Sequence, residues 1–170
     1  MNTTLFPVRA FQTVYEEYYD RIYNYVYRIL LHRQDAEDVV SETFLKAMDA
    51  WHQYDPERAS LSTWLYAIAR NCAYNYTRAA GYRAASLESM REDGTLPEPT
   101  ENPWDAGSAE ERVWEILREL SPEERDFLSM RYGLGLSNRE VAQALNISEA
   151  AAAKRYVRLL DKCRKIAGKR

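Results

Sequence analysis

Apolar residues recur with the period of an α-helix through the first third of the chain. From Phe11 to His32 they lie three or four positions apart, which predicts one long amphipathic helix and not a strand. A second helix is predicted to begin at Asp35, a plausible N-cap that is followed by carboxylates where the helix dipole favours them. The stripe that this helix is expected to bury consists of Val40, Phe44, Ala47, Met48 and Trp51.

A third helix is predicted after a loop that contains Pro56 and several polar residues. It begins at Ser62 or Thr63 and extends to about Ala80, with one apolar face for packing. A second stripe, about 100° away, carries an aromatic ring, two amides and a cation. The residues of that stripe are Trp64, Asn71, Asn75 and Arg78.

This third helix has a composition that suits nucleic acid. Residues 64–83 contain three arginines and no acid, and Trp64 and Tyr74 offer faces on which unpaired bases could stack. An ordinary amphipathic helix with a partly buried tryptophan explains the same pattern equally well. The sequence of this helix alone leaves both interpretations open.

The C-terminal part of the chain contains three helix starts in the order of a helix-turn-helix. Ser121 and Ser137 each have a glutamate three residues later, which is the spacing of a capping box, and Pro122 occupies a first helical position. Gly133 and Gly135 separate these two starts and allow the chain to turn. Ser148 follows a tight connection and is expected to cap the last helix.

The last helix concentrates positive charge. Residues 150–170 contain eight cations and a single acid, a net charge of +7 in a chain whose total is −3. By helical periodicity one side is apolar and packs, and a second stripe remains free to bind. A solvated surface helix is the simpler alternative, but the caps, the turn and the charge together favour DNA. The second stripe consists of Ala151, Arg155, Arg158, Lys162 and Lys165.

The middle of the chain has the composition of a linker. Residues 86–111 are rich in proline, glycine and acid, with no apolar periodicity, until a capping box at Ser108 opens a short helix. The predicted fold is therefore all-α, with two small helical domains joined by a flexible acidic linker. The expected boundaries are 1–85 for an N-terminal helical bundle, 86–108 for the linker and 109–170 for a helix-turn-helix domain.

The remaining composition excludes several classes of protein. The two cysteines, Cys72 and Cys163, lie in separate helical patterns, so a disulfide framework or a metal site is not expected. We find no motif typical of catalysis or of phosphate binding, which predicts a protein that is not an enzyme and needs no cofactor. The chain shows no signal peptide and no apolar run of about 20 residues, so we expect a cytoplasmic protein without a membrane span.

Four motifs, in order, resemble those of the extracytoplasmic-function (ECF) sigma factors of bacteria. They are AEDVVSETF at 36–44, WLYAIARN at 64–71, LSPEE at 120–124 and LSNREVA at 136–142. WLYAIARN alone is only suggestive, but the four together, at the family's spacing, are highly specific. The resemblance covers about residues 11–84 and 112–165, which is nearly all of the chain except the linker.

The resemblance implies a promoter-specificity subunit of RNA polymerase that serves a stress or envelope-type regulon. Its implied partners are bacterial core RNA polymerase, promoter DNA, and an anti-sigma factor or other regulator. The implied polymerase contacts are Glu37, Asp38, Ser41 and Phe44. The implied contacts to the unwound −10 strand are Tyr54, Asp55, Ser60, Trp64, Asn71, Tyr74, Asn75 and Arg78. The implied contacts to the −35 duplex are Lys154, Arg155, Arg158 and Lys162.

The chain also departs from the family pattern at functional positions. Ser41 replaces a usual glutamine and Leu61 a common phenylalanine, whereas Ala151 and Ala153 replace a hydroxyl and a cation at the start of the last helix. The promoter sequences of other members therefore do not transfer to this chain, and the remaining cations must carry more of the −35 contact.

Two other classes of protein fit parts of the sequence. A conventional helix-turn-helix regulator would use the N-terminal helices only to dimerise or to sense a ligand. A pure interaction protein would use the acidic helix and would not need the cationic one. Residues 34–78 discriminate between these classes, because a polymerase contact beside a single-strand surface serves only a sigma factor.

Overall fold

The computed structural model describes residues 5–79 and 107–168, without the side chains of 5–10 and 107–111. Within those ranges every regular element is helical, which confirms the all-α prediction. The chain divides into two compact units between Pro97 and Glu98, inside the predicted linker. The first unit contains α1 (Leu5–Leu30), α2 (Arg33–Asp49) and α3 (Leu61–Ala79), and the second contains α4 (Gly107–Arg118), α5 (Pro122–Leu128), α6 (Asn138–Leu145) and α7 (Glu149–Ala167).

In the first unit, each of the three helices packs against the other two. Most of the side chains in their shared core are aliphatic, and burial of such side chains stabilises a fold by roughly 1.5–3 kcal/mol each. A sharp corner between α1 and α2 makes the packing possible, because Leu31 takes a left-handed φ of 54°. The residues of the core with about 1% exposure or less include Ile22, Val26, Ile29, Leu30, Val39, Val40, Leu65 and Ala69.

The prediction that Asp35 caps α2 is wrong. The helix begins two residues earlier, at Arg33, and its N-cap is His32, whose Nδ1 accepts a hydrogen bond from the Asp35 N–H at 3.3 Å. The corner at Leu31 leaves His32 extended, with φ of −132° and ψ of 123°, so the chain is already helical by Asp35. Asp35 instead places its carboxylate 3.1 Å from the His32 ring.

The prediction that Met48 belongs to the buried stripe of α2 is also wrong. The side chain is 45% exposed, whereas Val40, Phe44 and Ala47 are buried as expected. A helix turns by about 100° per residue, so the position after Ala47 rotates away from α1. Trp51 lies beyond α2 in a short 3₁₀ turn, Trp51–Gln53, and is half-buried.

The third helix begins at Leu61, slightly before the predicted start. Ser60 performs the capping, because its hydroxyl accepts a hydrogen bond from the Thr63 N–H at 3.2 Å and bonds the Thr63 hydroxyl at 2.9 Å. Leu65 and Cys72 are buried on the predicted packing face.

In the second unit the predicted caps of α5, α6 and α7 are confirmed. Ser121 and Ser137 form complete capping boxes with Glu124 and Glu140, and the Ser148 hydroxyl accepts from the Ala151 N–H at 3.1 Å. Each cap satisfies backbone donors that have no partner inside the helix.

A π-helical segment, Ser129–Gly133, connects α5 to the turn before α6. Gly135 then takes a φ of +66°, which supports the prediction of a glycine-dependent turn. Arg131 donates to the Leu136 carbonyl across this turn. The second turn, between α6 and α7, depends on Asn146, whose φ is 53°.

Candidate polymerase and nucleic-acid interfaces

Three of the four predicted polymerase contacts lie on the outward side of α2. Glu37 is half-buried and accepts from Arg33 Nε at 3.0 Å, and Asp38 is exposed. Ser41 is exposed and donates its hydroxyl proton to the Glu37 carbonyl at 2.9 Å. The surface is therefore acidic, and each of its two carboxylates accepts a hydrogen bond from a side chain one turn earlier in α2.

Phe44, the fourth predicted polymerase contact, lies in the core and not on this surface. It is only 4% exposed, and its ring centre lies 4.7 Å from that of Tyr15 and 6.3 Å from that of Phe11. The side chain thus holds α2 against α1. The structure corrects its assignment as a surface contact, because a buried ring supports the interface only from below.

Two exposed apolar residues extend the acidic surface along α2 and were not predicted as contacts. Leu45 is 59% exposed and Met48 is 45% exposed. They follow Ser41 by four and seven residues, so by helical periodicity they lie on the same side. That spacing could have identified Leu45 and Met48 as surface contacts. The apolar side chain of Met48 instead led to the prediction that it is buried in the core. We call Glu37, Asp38, Ser41, Leu45 and Met48 the α2 surface.

Tyrosines from α1 border the α2 surface. The rings of Tyr19 and Tyr23 are stacked, with centres 6.3 Å apart. Burial raises the pKa of both phenols, and the nearby carboxylate of Glu37 raises each further. The upward shifts show that these two rings lie close to the acidic side of α2.

The predicted −10 loop is shaped by its own hydrogen bonds. Oδ1 of Asp55 accepts from the Glu57 N–H at 2.9 Å, and the Tyr54 hydroxyl donates to the Ala59 carbonyl at 3.3 Å. The Ser60 hydroxyl is engaged in capping α3. Local bonds of this kind hold a loop in one conformation, so these three residues have structural roles whether or not they contact a ligand.

An aromatic cluster joins the loop to α3. The ring of Trp64 lies 5.2 Å from Tyr54 and 6.1 Å from Trp51, and Trp51 lies 5.6 Å from Phe11 in α1. Trp64 is half-buried, so the packing interpretation holds for part of its ring. The rest of the side chain is accessible to solvent.

The outer side of α3 brings together the other predicted −10 residues. Asn71, Asn75 and Arg78 are exposed on successive turns. Tyr74 is half-buried, and the Arg70 guanidinium lies 4.7 Å from the centre of its ring. We call Trp64, Asn71, Tyr74, Asn75 and Arg78 the α3 surface. It offers aromatic faces, amides and a cation without an acid anywhere in Leu61–Ala79.

The predicted −35 stripe of α7 divides into two groups. Lys154 and Arg158 are exposed, as is Val157, which is 57% exposed and lies between them. Arg155 instead donates from Nη2 to the Glu123 carbonyl at 3.3 Å, and Lys162 Nζ lies 2.6 Å from Glu124 Oε2. Two of the four predicted −35 residues therefore also make contacts within the unit, although Lys162 remains exposed, and the −35 role of all four stays a prediction.

Comparison with family models matches both units. Sigma-70 region 2 matches residues 14–82, and sigma-70 region 4 matches residues 110–163. The chain belongs to the sigma-70 family. Both family models and curated relatives named as ECF sigma factors agree, so it is an ECF sigma factor.

Curated relatives of this ECF sigma factor include proteins of Streptomyces coelicolor and Pseudomonas aeruginosa. It is 26% identical over 143 residues to the ECF sigma factor BldN of Streptomyces coelicolor, covering 84% of this chain and 54% of BldN. It is 29% identical over 159 residues to the RNA polymerase sigma-H factor of Pseudomonas aeruginosa, covering 88% and 82% of the two chains. The chain thus spans about half the length of BldN.

Solved structures show the same fold. The sigma factor RpoE of Bartonella quintana, in complex with the anti-sigma factor NepR, matches with a TM-score of 0.71 at 18% identity, covering 95% of this chain and 99% of RpoE. CnrH, in complex with the cytosolic domain of CnrY, matches with a TM-score of 0.63 at 24% identity, covering 93% and 87%.

Region 2 of this ECF sigma factor contains both the α2 and the α3 surface, and region 4 contains the cationic helix α7. None of the helices in 5–79 and 107–168 is long and apolar enough to cross a membrane.

Proposed function

We propose that this ECF sigma factor binds core RNA polymerase and directs it to promoters by contacting a −10 and a −35 element. One observation carries the proposal: the first unit exposes two different surfaces, an acidic and apolar one on α2 and an aromatic and amide one on α3. A conventional helix-turn-helix regulator has no need of either surface, and an interaction protein needs only the first.

The α2 surface is the proposed polymerase contact. Carboxylates at its N-terminal end supply charge complementarity and on-rate for a basic partner, whereas Leu45 and Met48 supply apolar area that is removed from water. Glu37 and Asp38 thus steer the approach, and the apolar pair slows dissociation. Phe44 contributes by keeping α2 in place.

The α3 surface, together with the loop at 54–60, is the proposed −10 contact. Aromatic faces stack on unpaired bases, with a contribution of roughly 1–3 kcal/mol per base, and amides bond to exposed base edges. A loop with internal hydrogen bonds can hold a flipped base at little entropic cost, because it is already ordered. Asn71, Asn75 and Arg78 are the exposed members that reach the strand.

The exposed side of α7 is the proposed −35 contact. Lys154 and Arg158 bind phosphates or guanine edges, and Val157 lies between them where an apolar side chain can pack on a thymine methyl group. The exposed Ala151 adds a further small apolar contact at the start of the helix. Sequence preference would therefore depend on few polar contacts to bases. Apolar contacts to thymine methyl groups and the shape of the DNA would contribute more.

A regulatory partner is also proposed for this ECF sigma factor. RpoE and CnrH were captured with NepR and CnrY, which supports an anti-sigma factor or other regulator as a partner of this chain. We further propose a cytoplasmic factor without catalysis of its own, an acidic linker at 86–108 that enters the polymerase, and a stress or envelope-type regulon.

The direct test combines two measurements. The full-length chain is incubated with bacterial core RNA polymerase and separated by gel filtration, and the complex is then assayed by run-off transcription on a promoter library from the chain's own genome. Co-elution and defined start sites are expected. DNA binding by the free chain without any polymerase association would refute the proposal in favour of a conventional regulator.

A further inference from the structure

The four predicted −35 cations of α7 differ in their contacts: Arg155 and Lys162 contact α5, although Lys162 is also exposed, whereas Lys154 and Arg158 are exposed and have no ion-pair partner among the described residues. We infer that Arg155 and Lys162 are positioning residues, which fix the recognition helix on α5 and do not themselves contact DNA. The inference rests on the proposed −35 function, because it assigns roles within that contact. We call the contacts of Arg155 and Lys162 with Glu123 and Glu124 the α5–α7 latch.

Lys162 is held by the same carboxylate that caps α5. Its ammonium lies 2.6 Å from Oε2 of Glu124, and that oxygen also accepts a hydrogen bond from the Ser121 N–H at 2.8 Å. The capping box restrains the side chain of Glu124. The ammonium of Lys162 is therefore paired with a carboxylate whose position in the first turn of α5 is fixed. The pair joins residues 38 positions apart and therefore constrains how the two helices pack.

Arg155 ties the N-terminal half of α7 to the same turn. Its Nη2 donates to the Glu123 carbonyl at 3.3 Å, and its guanidinium lies 5.4 Å from the centre of the Phe127 ring. Phe127 is fully buried, so the guanidinium covers an edge of the core. To reach a phosphate, Arg155 would have to give up both its hydrogen bond and this cation–π contact.

Helical spacing explains why the cations divide in this way. Arg155 and Lys162 are seven residues apart, close to two full turns, so both leave α7 toward α5. Lys154 and Arg158 leave the helix roughly 40–100° away from that direction and are exposed. In the part of the chain that the structure describes, neither of these two forms an ion pair.

The latch matters because a small tilt of the long helix α7 at one end displaces the residues at its other end. The helix has 19 residues, and Lys154 lies about 12 Å from Lys162 along its axis at about 1.5 Å per residue. A tilt of about 10° at Lys162 would therefore move Lys154 by about 2 Å, which is enough to break hydrogen bonds that tolerate only a few tenths of an ångström. The latch keeps the exposed residues in register with the groove.

The test uses full-length chain bound to core RNA polymerase and a duplex that the wild-type complex has enriched from a random-sequence pool. Glu124→Gln is the decisive variant, because glutamine can keep the capping box but loses the charge that holds Lys162. Direct DNA contact by Lys162 predicts tighter binding of this variant, since an acid is removed and the lysine is released. The latch predicts binding weakened by about two- to fivefold, the range of a partly exposed ion pair.

Salt dependence separates positioning from contact. Arg155→Ala and Lys162→Gln are expected to weaken binding without changing the slope of log K against log salt. Arg158→Ala is the matched control on the solvent side of the same helix, and its loss should reduce the slope by about 0.9 if it holds a phosphate. Arg155→Lys, which keeps the charge but not the planar group, should bind as weakly as Arg155→Ala.

The outcomes for the latch and for the proposed function can be told apart. Unchanged or tighter binding by Glu124→Gln, or a reduced slope for Arg155→Ala and Lys162→Gln, would overturn the latch while leaving the proposed function intact. Failure of the wild-type complex to enrich any duplex would refute the function and the latch together. Circular dichroism melting of each variant verifies that the helices remain folded.

Discussion

Replacing Glu37 and Asp38 together by lysine should abolish polymerase binding while leaving the fold intact. The two residues lie on the proposed contact, and Glu37 pairs with Arg33 at 3.0 Å through side chains that are 38% and 65% exposed. Loss of so exposed a pair costs little, and the new repulsion between Arg33 and the lysine introduced at position 37 is screened by solvent. Because surface substitutions usually change stability by no more than about 0.5 kcal/mol each, the double variant should lose no more than about 1 kcal/mol.

The effect on binding should be much larger. Replacing two complementary charges by two repulsive ones at an interface costs about 3–5.5 kcal/mol, or about a hundred- to ten-thousandfold in Kd. Fluorescence anisotropy of labelled chain titrated with core polymerase measures this loss, and urea denaturation measures the stability. The matched control is Glu16→Lys with Glu17→Lys, which changes the net charge equally at exposed positions of α1. Near wild-type affinity of the Glu37/Asp38 variant, or an equal loss in the control, would refute the assignment of α2.

The other predictions concern the same unit. Phe44→Ala should reduce the free energy of unfolding by about 3–5 kcal/mol in urea denaturation, because the ring is buried between α1 and α2; a loss below about 1 kcal/mol would contradict its core role. Leu45→Ser with Met48→Ser should weaken polymerase binding by about 1–3 kcal/mol, measured by the same anisotropy assay, with little change in stability. Asn75→Ala should impair promoter opening, detected as lower permanganate reactivity at −10, without a loss of stability. Trp64→Ala should impair opening and also destabilise the fold by roughly 1–3 kcal/mol, since half of the ring packs in the aromatic cluster; normal opening by both variants would contradict the α3 surface.

Helix starts, the all-α class and the family motifs depend only on residues that are close in sequence. These features could therefore be predicted without the structure. A capping box needs only a hydroxyl and a carboxylate three positions apart, so Ser121 and Ser137 indicated the starts of α5 and α6 without any tertiary information. The all-α class followed in the same way from the spacing of apolar residues. The motif WLYAIARN and its three companions indicated the family because their order and spacing are also properties of the sequence alone.

Other features depend on where helices meet, and only the tertiary structure decided them. Asp35 resembles a cap in sequence, yet the corner at Leu31 starts the helix earlier and gives that role to His32. Met48 lies at the edge of an apolar stripe, and the width of the stripe that is buried depends on where α1 packs. The sequence pattern contains no information about that position, so it predicted that Met48 is buried.

The cationic stripe of α7 shows the same division most clearly. Periodicity groups Arg155, Arg158 and Lys162 on one side of the helix, but it contains no information about α5. Glu123 and Glu124 lie more than thirty residues earlier in the chain, and they meet α7 only because the fold places the first turn of α5 beside it. A difference of roughly 40–60° around α7 thus separates the two cations that contact α5 from Arg158, which does not, because side chains on adjacent rows of a helix meet different neighbours.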